Sequence, residues 1–474
     1  MTASKDSSQK TSGIQQLIQA LDNVRGRVLR EPTNVSLRVD FAKMLLDLKF
    51  YKDASVQARV ATQLAPHHPE ACHHLGFALL AQGENTECLE WLLKAYAGMP
   101  DNRKLLAHLG KAHVALGKTT DGEVFCRRAL ALEPNDVYTL TNLGMAVRYQ
   151  GRYQEALECF QKAIQIDPSY STAQYDMGLT QLLLGNYEAG WRGFNYRLKS
   201  ERFLTRDNFS RPMWDGKPFA GKKLLIHVEQ GLGDSIQFFR FLPLVKKLGG
   251  EVILECQPEL LRWMKDHPGI DQLFPQGEKR PPYDLHAYLM SLPELLGTTL
   301  DTIPSAINPL TPTPSPRKAG KLQVGIVWAG NPEHSDDRLR STRLEYFLNL
   351  ATLPGVKLVS LQKGKAREAL NSQTLITDDV ANCFDFLDTA HLVQGLDLII
   401  TVDTSVAHLA ATLQRPTWIL LGYMPDWRWL LVRTDSPWYP SVRLYRQKME
   451  CHWEEQFARV KEDLRRFSEN HHGS

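Results

Sequence analysis

A chain of 474 residues exceeds what one hydrophobic core organises, and about three domains is the expectation. Hydrophobic residues at 43% and charged residues at 23% suit a globular protein, and a net charge of +3 is too small for the basic footprint of a nucleic-acid binder. No apolar run reaches the length of a membrane span, MTASKDSSQKTSG lacks the apolar stretch of a secretory leader, and seven scattered cysteines without Cys-x-x-Cys suit reduced thiols, so a cytoplasmic protein is expected.

The segment 1–34 reads as a tail followed by a lead helix from Ile14 to Arg30. Beyond it, Pro32, Pro66, Pro100, Pro134 and Pro168 recur at a spacing of 34, as do Gly76, Gly110, Gly144 and Gly178. That period is the length of a tetratricopeptide unit, a helix pair that buries its apolar face only by stacking on neighbours. The clearest unit runs from Val137 to Tyr170. Gly144 and Ala156 are small where its two helices cross, Phe160 fills the gap between units, and Pro168 ends the second helix for want of an N–H. Five units are expected in 35–204, starting near Val35, Pro69, Arg103, Val137 and Ser171. By repeat register, His73, Phe77, Thr141, Met145, Arg148, Tyr149 and Tyr175 face a concave groove suited to an extended polypeptide. His67, His68, His73 and His74 lack the spacing of a metal site and read as surface and groove histidines.

The repeat pattern gives way to polar sequence, with 205–221 a connector packed down by Trp214. Strands at Leu224–Val228 and Glu251–Cys256 alternate with helices at Ser235–Leu248 and Pro258–Lys265, so 222–302 is a parallel-sheet α/β domain. The proline-rich stretch 303–321 is a linker. A second α/β domain spans 322–468, with strands at Lys321–Asn331, Val356–Gln362, Leu396–Val402 and Pro416–Leu421, a last helix from Trp453 to Phe467 that crosses back to the first domain, and a disordered tail at 469–474.

Two strand-end loops stand out. The first is Glu229-Gln230-Gly231-Leu232-Gly233-Asp234, a two-glycine turn that lacks the third glycine of a dinucleotide fingerprint. The second is Asp403-Thr404-Ser405, where a strand ends and a helix carrying His408 begins. Thr404 or Ser405 caps that helix, and its free N–H groups and dipole attract an anion such as a nucleotide diphosphate, with His408 one turn in and able to donate to a phosphate oxygen. Pro425 to Leu431 reads as a hydrophobic plug between the halves with Arg428 stacked on an indole, or else as a wall of the donor pocket. Asp336 and Asp337 read as solvated loop acids, not as an Asp-x-Asp metal motif.

The pairing of Gly233-Asp234 with Asp403-Thr404-Ser405-Val406-Ala407-His408-Leu409-Ala410 resembles the heptosyltransferase-like GT-B glycosyltransferases, over roughly Lys222 to Leu464. The whole layout is similar to bacterial repeat-fused transferases such as flagellin glycosyltransferases, and to O-GlcNAc transferase in layout only. The asparagine ladder of the latter is replaced here by Asp40, His74, His108, Asn142 and Asp176. The implied fold class is an α-helical tetratricopeptide solenoid followed by a two-Rossmann-domain α/β GT-B fold. The resemblance implies an inverting, metal-independent sugar transfer, with a nucleotide sugar as substrate and no cofactor or metal. Asp234 matches the catalytic carboxylate, and Thr404, Ser405 and His408 match the donor-phosphate motif. Asp403, Asn331, Arg338, Arg340, Gln362 and Lys363 are assigned to the donor as well. Gly231 and Gly233 join them because their backbone approaches closely, while Asp234 faces the acceptor as general base. The expected acceptor is a protein Ser or Thr hydroxyl held by the repeats, with no nucleic-acid partner and no membrane span. The alternatives are transfer to a lipid-linked or polysaccharide acceptor, and a non-catalytic scaffold that keeps a nucleotide-binding remnant.

Overall fold

A computed structural model describes residues 19–199, 209–310, 320–334, 336–372, 374–448 and 452–472. It divides into two compact units, Met1–Met177 and Gly178–Ser474. The start of the lead helix, part of each expected linker and the last two residues lie outside the described residues. Among the described residues no helix is long and apolar enough to cross a membrane.

In the first unit, helix α1 covers 19–30. Pairs follow as α2 (Val35–Asp47) with α3 (Tyr51–Leu64), α4 (Pro69–Gln82) with α5 (Asn85–Gly98), α6 (Arg103–Ala115) with α7 (Thr119–Leu132), and α8 (Val137–Tyr149) with α9 (Tyr153–Ile166). A fifth pair, α10 (Ser171–Leu183) and α11 (Tyr187–Phe194), begins in the first unit and ends in the second. The first helices of the pairs start at the five expected positions. Their caps repeat with the same period. Asn34, Asn102 and Asp136 accept from the backbone N–H of Leu37, Leu105 and Thr139 at 3.1, 3.1 and 3.0 Å, and His68 Nδ1 accepts from Ala71 N at 3.3 Å. His68 is thus a helix cap. At the close crossing, a Cβ on Gly144 would lie 2.5 Å from Phe160, so a side chain there would force the helices apart. Buried Cys72, Cys88 and Cys126 act as small hydrophobes in the same seams.

Helix α11 is built into the second unit, so the repeats do not continue as a separate domain to residue 204. Trp191 Nε1 donates to Thr298 O at 3.0 Å, and Tyr187 Oη accepts from Trp438 Nε1 at 3.0 Å. The α/β part then runs β1 (Lys223–His227), α12 (Leu232–Phe238), α13 (Leu242–Lys246), β2 (Glu251–Cys256), α14 (Leu261–Met264), β3 (Gln272–Pro275), β4 (Leu285–Tyr288) and α15 (Leu292–Leu295). Its sheet is parallel, in the order β3-β2-β1-β4. Trp214 is buried and donates its backbone N–H to His286 O of β4, which fastens the connector.

The second half runs β5 (Leu322–Val327), α16 (Asp337–Arg340), α17 (Leu344–Ala351), β6 (Val356–Ser360), β7 (Ile376–Thr377), α18 (Phe386–Gln394), β8 (Leu398–Val402), α19 (Ser405–Thr412), β9 (Thr417–Leu421), β10 (Val442–Arg446) and α20 (Trp453–His472). This sheet is also parallel, in the order β10-β9-β8-β5-β6-β7. Every residue of β8 is buried, as expected of a central strand with both faces covered. Strands β3, β4, β7 and β10 are short or of mixed polarity and were not expected from the sequence. Helix α20 does not cross to the first half. Its Phe457, Val460 and Leu464 stripe joins the second half's own core, and Phe457 lies 4.9 Å from Phe347 of α17, ring to ring. The helix continues beyond Phe467 into the expected tail, supported by Arg465 Nη1 bonding Glu469 Oε1 at 2.5 Å.

Both strand orders reverse direction at one point. In the first sheet the chain moves outward from β1 to β2 and later returns to place β4 on the other side of β1. In the second it does the same with β8 beside β5. The crevice outside the carboxyl ends of such strands is where open α/β sheets bind ligands, and both predicted loops leave the sheets there.

Candidate active site

In the first half, β1 runs through a short loop to Gly231, which caps α12, and Gly233 and Asp234 lie in that helix's first turn. Asp234 closes that turn on itself, its Oδ2 accepting from Gly231 N at 3.0 Å. Its Oδ1 pairs with Arg428 Nη2 of the second half. Gln237, three residues on and on the same face of α12, accepts from Arg428 Nε. Asp426 receives Arg428 Nη1 at 2.8 Å and Arg428 N at 3.0 Å. The guanidinium also lies 4.4 Å from the Trp427 ring centroid. Burial by itself works to discharge Arg428, but Asp426 and Asp234 outweigh it and hold the group charged above the ordinary arginine range. The Pro425–Leu431 segment is therefore the plug expected, with Trp427 ringed by Trp191, Phe238 and Trp438. It is also the support of Asp234. Leu430 follows in a left-handed conformation with φ of 55° and ψ of −162°, and its carbonyl accepts from Arg446 Nη1 at 2.9 Å.

In the second half, Asp403 ends β8 and Thr404 takes the cap position of α19. Thr404 Oγ1 meets Thr401 Oγ1 at 3.1 Å, and no side chain caps the helix. The expected hydroxyl cap is absent because that hydroxyl is turned back toward β8. Burial, then the neighbouring Asp426, pushes the Asp403 carboxyl up to about 6, against the pull of Arg340 and Arg428. His408 is buried and stacks 5.5 Å from Trp429. Its Nδ1 meets Tyr439 Oη at 3.0 Å, and its Nε2 stands 3.9 Å from Asp403 Oδ1. Burial, with Arg428, Arg240 and Arg340 nearby, holds its pKa well below 6.5, so the ring is neutral.

The two halves touch at these loops. A Cβ on Gly233 would lie 3.0 Å from His408 Cδ2 and 3.3 Å from Ser405 Cα. Glycine is what lets the first loop reach the second, and Asp234, Asp403, Asp426, Arg428 and His408 converge across it. A peripheral contact joins the halves as well, Arg262 Nη1 to Asp385 Oδ2 at 3.1 Å and Nη2 to Asp388 Oδ1 at 3.4 Å.

The remaining donor candidates divide. Arg340 acts electrostatically on both Asp403 and His408 and bonds Asp337 through Nε at 3.3 Å. Asp337 also receives Ser341 Oγ at 2.8 Å, so it is a bonded acid and not a solvated one. Arg338 is exposed on the same short helix. Gln362 does not present its amide to a ligand. It is buried, its Oε1 accepts from Trp328 N and Ala329 N at 3.1 and 2.9 Å, and its Nε2 donates to Ala329 O and Lys363 O at 3.0 and 2.9 Å. Its amide is spent shaping the loop after β5. Asn331 Oδ1 is taken up by Glu333 N at 3.1 Å. Lys363 Nζ donates to Cys383 O at 2.8 Å, at the rim of an open depression of about 450 Å³ bordered also by Arg367 and Asp378.

Of the expected groove residues, Phe77, Met145, Arg148, Tyr149 and Tyr175 are half-buried. His73 and Thr141 are buried and are not groove-lining. His73 Nε2 meets His108 Nδ1 at 3.0 Å, and Phe77 stacks on the far face of that contact at 4.1 Å from His108. Thr141 Oγ1 donates to Val137 O at 2.8 Å, within its own helix. Among the described residues no group of three or more His, Cys, Asp or Glu side chains is arranged to hold a metal ion.

The sequence did not point to Arg428 as the partner of Asp234, nor to Gln237, Asp426, Tyr439 or Arg240. One signal was present. An arginine between two tryptophans is buried, and a buried cation needs a carboxylate.

A repeated helix pair followed by two parallel sheets that face each other through strand-end loops defines the layout of a GT-B glycosyltransferase carrying a helical repeat array. Residues 137–170 match the tetratricopeptide repeat family, and residues 357–460 match glycosyltransferase family 9, the heptosyltransferases. The chain is thus similar to tetratricopeptide-repeat proteins in one segment and to heptosyltransferase-type glycosyltransferases in another. It is 26% identical over 328 residues to Protein FlbA of Caulobacter vibrioides (strain ATCC 19089 / CIP 103742 / CB 15), covering 60% of this chain and 54% of FlbA. It thus spans about half the length of that relative. Among solved structures, YrrB, a TPR protein with an unusual peptide-binding site, is 21% identical with a TM-score of 0.30, over 38% of this chain and 92% of YrrB. Pseudomonas aeruginosa PilF is 16% identical with a TM-score of 0.30, over 38% of this chain and 79% of PilF.

Proposed function

We propose that the chain moves a sugar from a nucleotide-sugar donor to a protein Ser or Thr hydroxyl, with inversion and without a metal, the repeats holding the acceptor polypeptide. The observation that carries this reading is Asp234, a carboxylate fixed at the carboxyl edge of the first sheet and in register with the start of α19 across the Gly233 contact. The acceptor oxygen attacks the anomeric carbon as its proton passes to Asp234, and the bond to the nucleotide diphosphate breaks with the electron pair leaving on the phosphate oxygen. The leaving charge is met by the first turn of α19, which no side chain caps, and by Arg340. Work with nucleotide substrates fits a cytoplasmic location.

The test is donor turnover by the full chain across a panel of nucleotide sugars. Asp234→Asn should lower turnover by about 10² to 10⁴, the usual worth of a general base, and leave nucleotide diphosphate binding in place. Turnover that survives the substitution sinks the assignment. Arg148→Ala and Tyr149→Ala should weaken transfer to a protein acceptor while donor hydrolysis continues. A second reading, transfer to a saccharide or lipid-linked acceptor, draws on the burial of His73 and Thr141, which narrows the face left for a peptide. Equal transfer to a saccharide acceptor by wild type and both groove variants would favour it.

A further inference from the structure

Two buried residues that the proposed reaction does not use converge on His408. Tyr439 Oη meets His408 Nδ1 at 3.0 Å, the Arg240 guanidinium from the first half stands 4.5 Å from the Tyr439 ring centroid, and Thr412 of α19 also lies beside the phenol. Arg240 is itself anchored, Nε to Gln237 O at 2.8 Å and Nη1 to Trp438 O at 2.7 Å. Its Nη2 is buried.

One arrangement satisfies these three groups together with Thr412, whose hydroxyl also reaches the phenol and can donate to it. A guanidinium only donates, so the phenol oxygen turns its lone pairs to Arg240 and its proton elsewhere. The acceptor 3.0 Å away is His408 Nδ1. Nδ1 then carries no hydrogen, and the single proton of the neutral ring sits on Nε2. The far side of the ring agrees. Nε2 faces the Asp403 carboxylate at 3.9 Å, and the adjoining Cδ2 faces Gly233 of the opposite loop.

We propose that Tyr439, oriented by Arg240, is a positioning residue that fixes His408 as its Nε2–H tautomer, so that the buried imidazole presents one N–H to the diphosphate side of the site. This rests on the donor-site reading above. It also makes that site depend on the first half, because Arg240 belongs to the segment just after α12. Without Tyr439 the proton could settle on either nitrogen, and the Nδ1–H form presents an acceptor to an anion.

The test uses the full chain with ring-¹⁵N-labelled histidine, His408 being identified by the resonances lost in His408→Gln. In the ligand-free wild type, His408 should show a protonated Nε2 and a hydrogen-bonded, unprotonated Nδ1. Tyr439→Phe should bring in the Nδ1–H form, and Arg240→Met should do so in part. A wild-type His408 protonated at Nδ1 overturns the proposal, as does a tautomer unchanged in both variants. With inorganic pyrophosphate as the probe, the wild-type Nε2–H should shift on titration, and Tyr439→Phe should bind about five- to tenfold more weakly, the worth of one hydrogen bond. Pyrophosphate that leaves Nε2 unmoved in the wild type overturns the donor-site reading, while the tautomer of the ligand-free chain decides the role of Tyr439 independently.

Discussion

The two halves of the α/β unit build the same device, a parallel strand, a short turn and a helix at a switch point, and place an aspartate in each. The two aspartates end in different surroundings. Asp234 is tied down on both oxygens, by its own turn and by Arg428. Asp403 is the more buried of the two, with its carboxyl pushed up to about 6 and its neighbour a neutral imidazole. What separates them is the single guanidinium of Arg428, which bonds Asp234 and Asp426 and leaves Asp403 with its field alone. Equivalent positions in two similar sheets therefore do not imply equivalent chemistry. A carboxylate anchored at a loop edge suits a base, and a buried one whose charge is disfavoured suits the wall of an anion site.

The largest effect expected is on Arg428. Arg428→Ala should destabilise the α/β unit by about 3 to 5 kcal/mol in urea unfolding, because it strands Asp234, Asp426 and Gln237 without their shared donor. A loss below 1 kcal/mol would mean the two aspartates differ for some other reason. Next comes the pH response of Asp403. Its folded-state pKa lies above the ordinary 3.8, so the folded form holds the proton more tightly. That stabilisation is complete below about pH 4 and is lost as the pH rises through about 6. The displacement corresponds to about 3 kcal/mol at most. Asp403→Asn, which stays neutral, should gain on the wild type by that margin between pH 4 and 7, and a gap that is flat with pH contradicts the contrast. Gly233→Ala should cost about 1 to 3 kcal/mol by overpacking against His408 and Ser405 and should slow donor turnover; an inert substitution would show that the loops are not in close contact. Arg262→Ala should leave urea stability close to that of the wild type, since its ion pairs with Asp385 and Asp388 are solvent-exposed at the arginine; a marked loss would move the join between the halves from the loops to the rim.

Much of this was legible in the residues. The repeat period survives folding because each helix pair buries the same few positions against its own neighbour, so Gly144 with Phe160 is a local relation written at fixed spacing. The strands that carry the site were readable for a similar reason, β8 being a buried, mostly apolar run that Asp403 follows. The short strands β3, β7 and β10 were not, because two to five residues hold too little pattern. The groove was misjudged at His73 and Thr141, since helical register tells which way a residue leaves its helix but not whether the next repeat covers it. The amide of Gln362 was misjudged likewise, because the backbone that would consume it belongs to another strand.

The sequence by itself therefore determined the repeat array, the two parallel sheets and the two strand-end loops, all of which follow from periods and runs within one stretch of chain. Tertiary structure alone decided which charges meet. Arg428 reaches Asp234 and Gln237 from nearly two hundred residues away, and Tyr439 stands between Arg240 and His408. A buried cation or hydroxyl must find a partner in low dielectric, but the partner's place in the sequence is free, so only the fold names it.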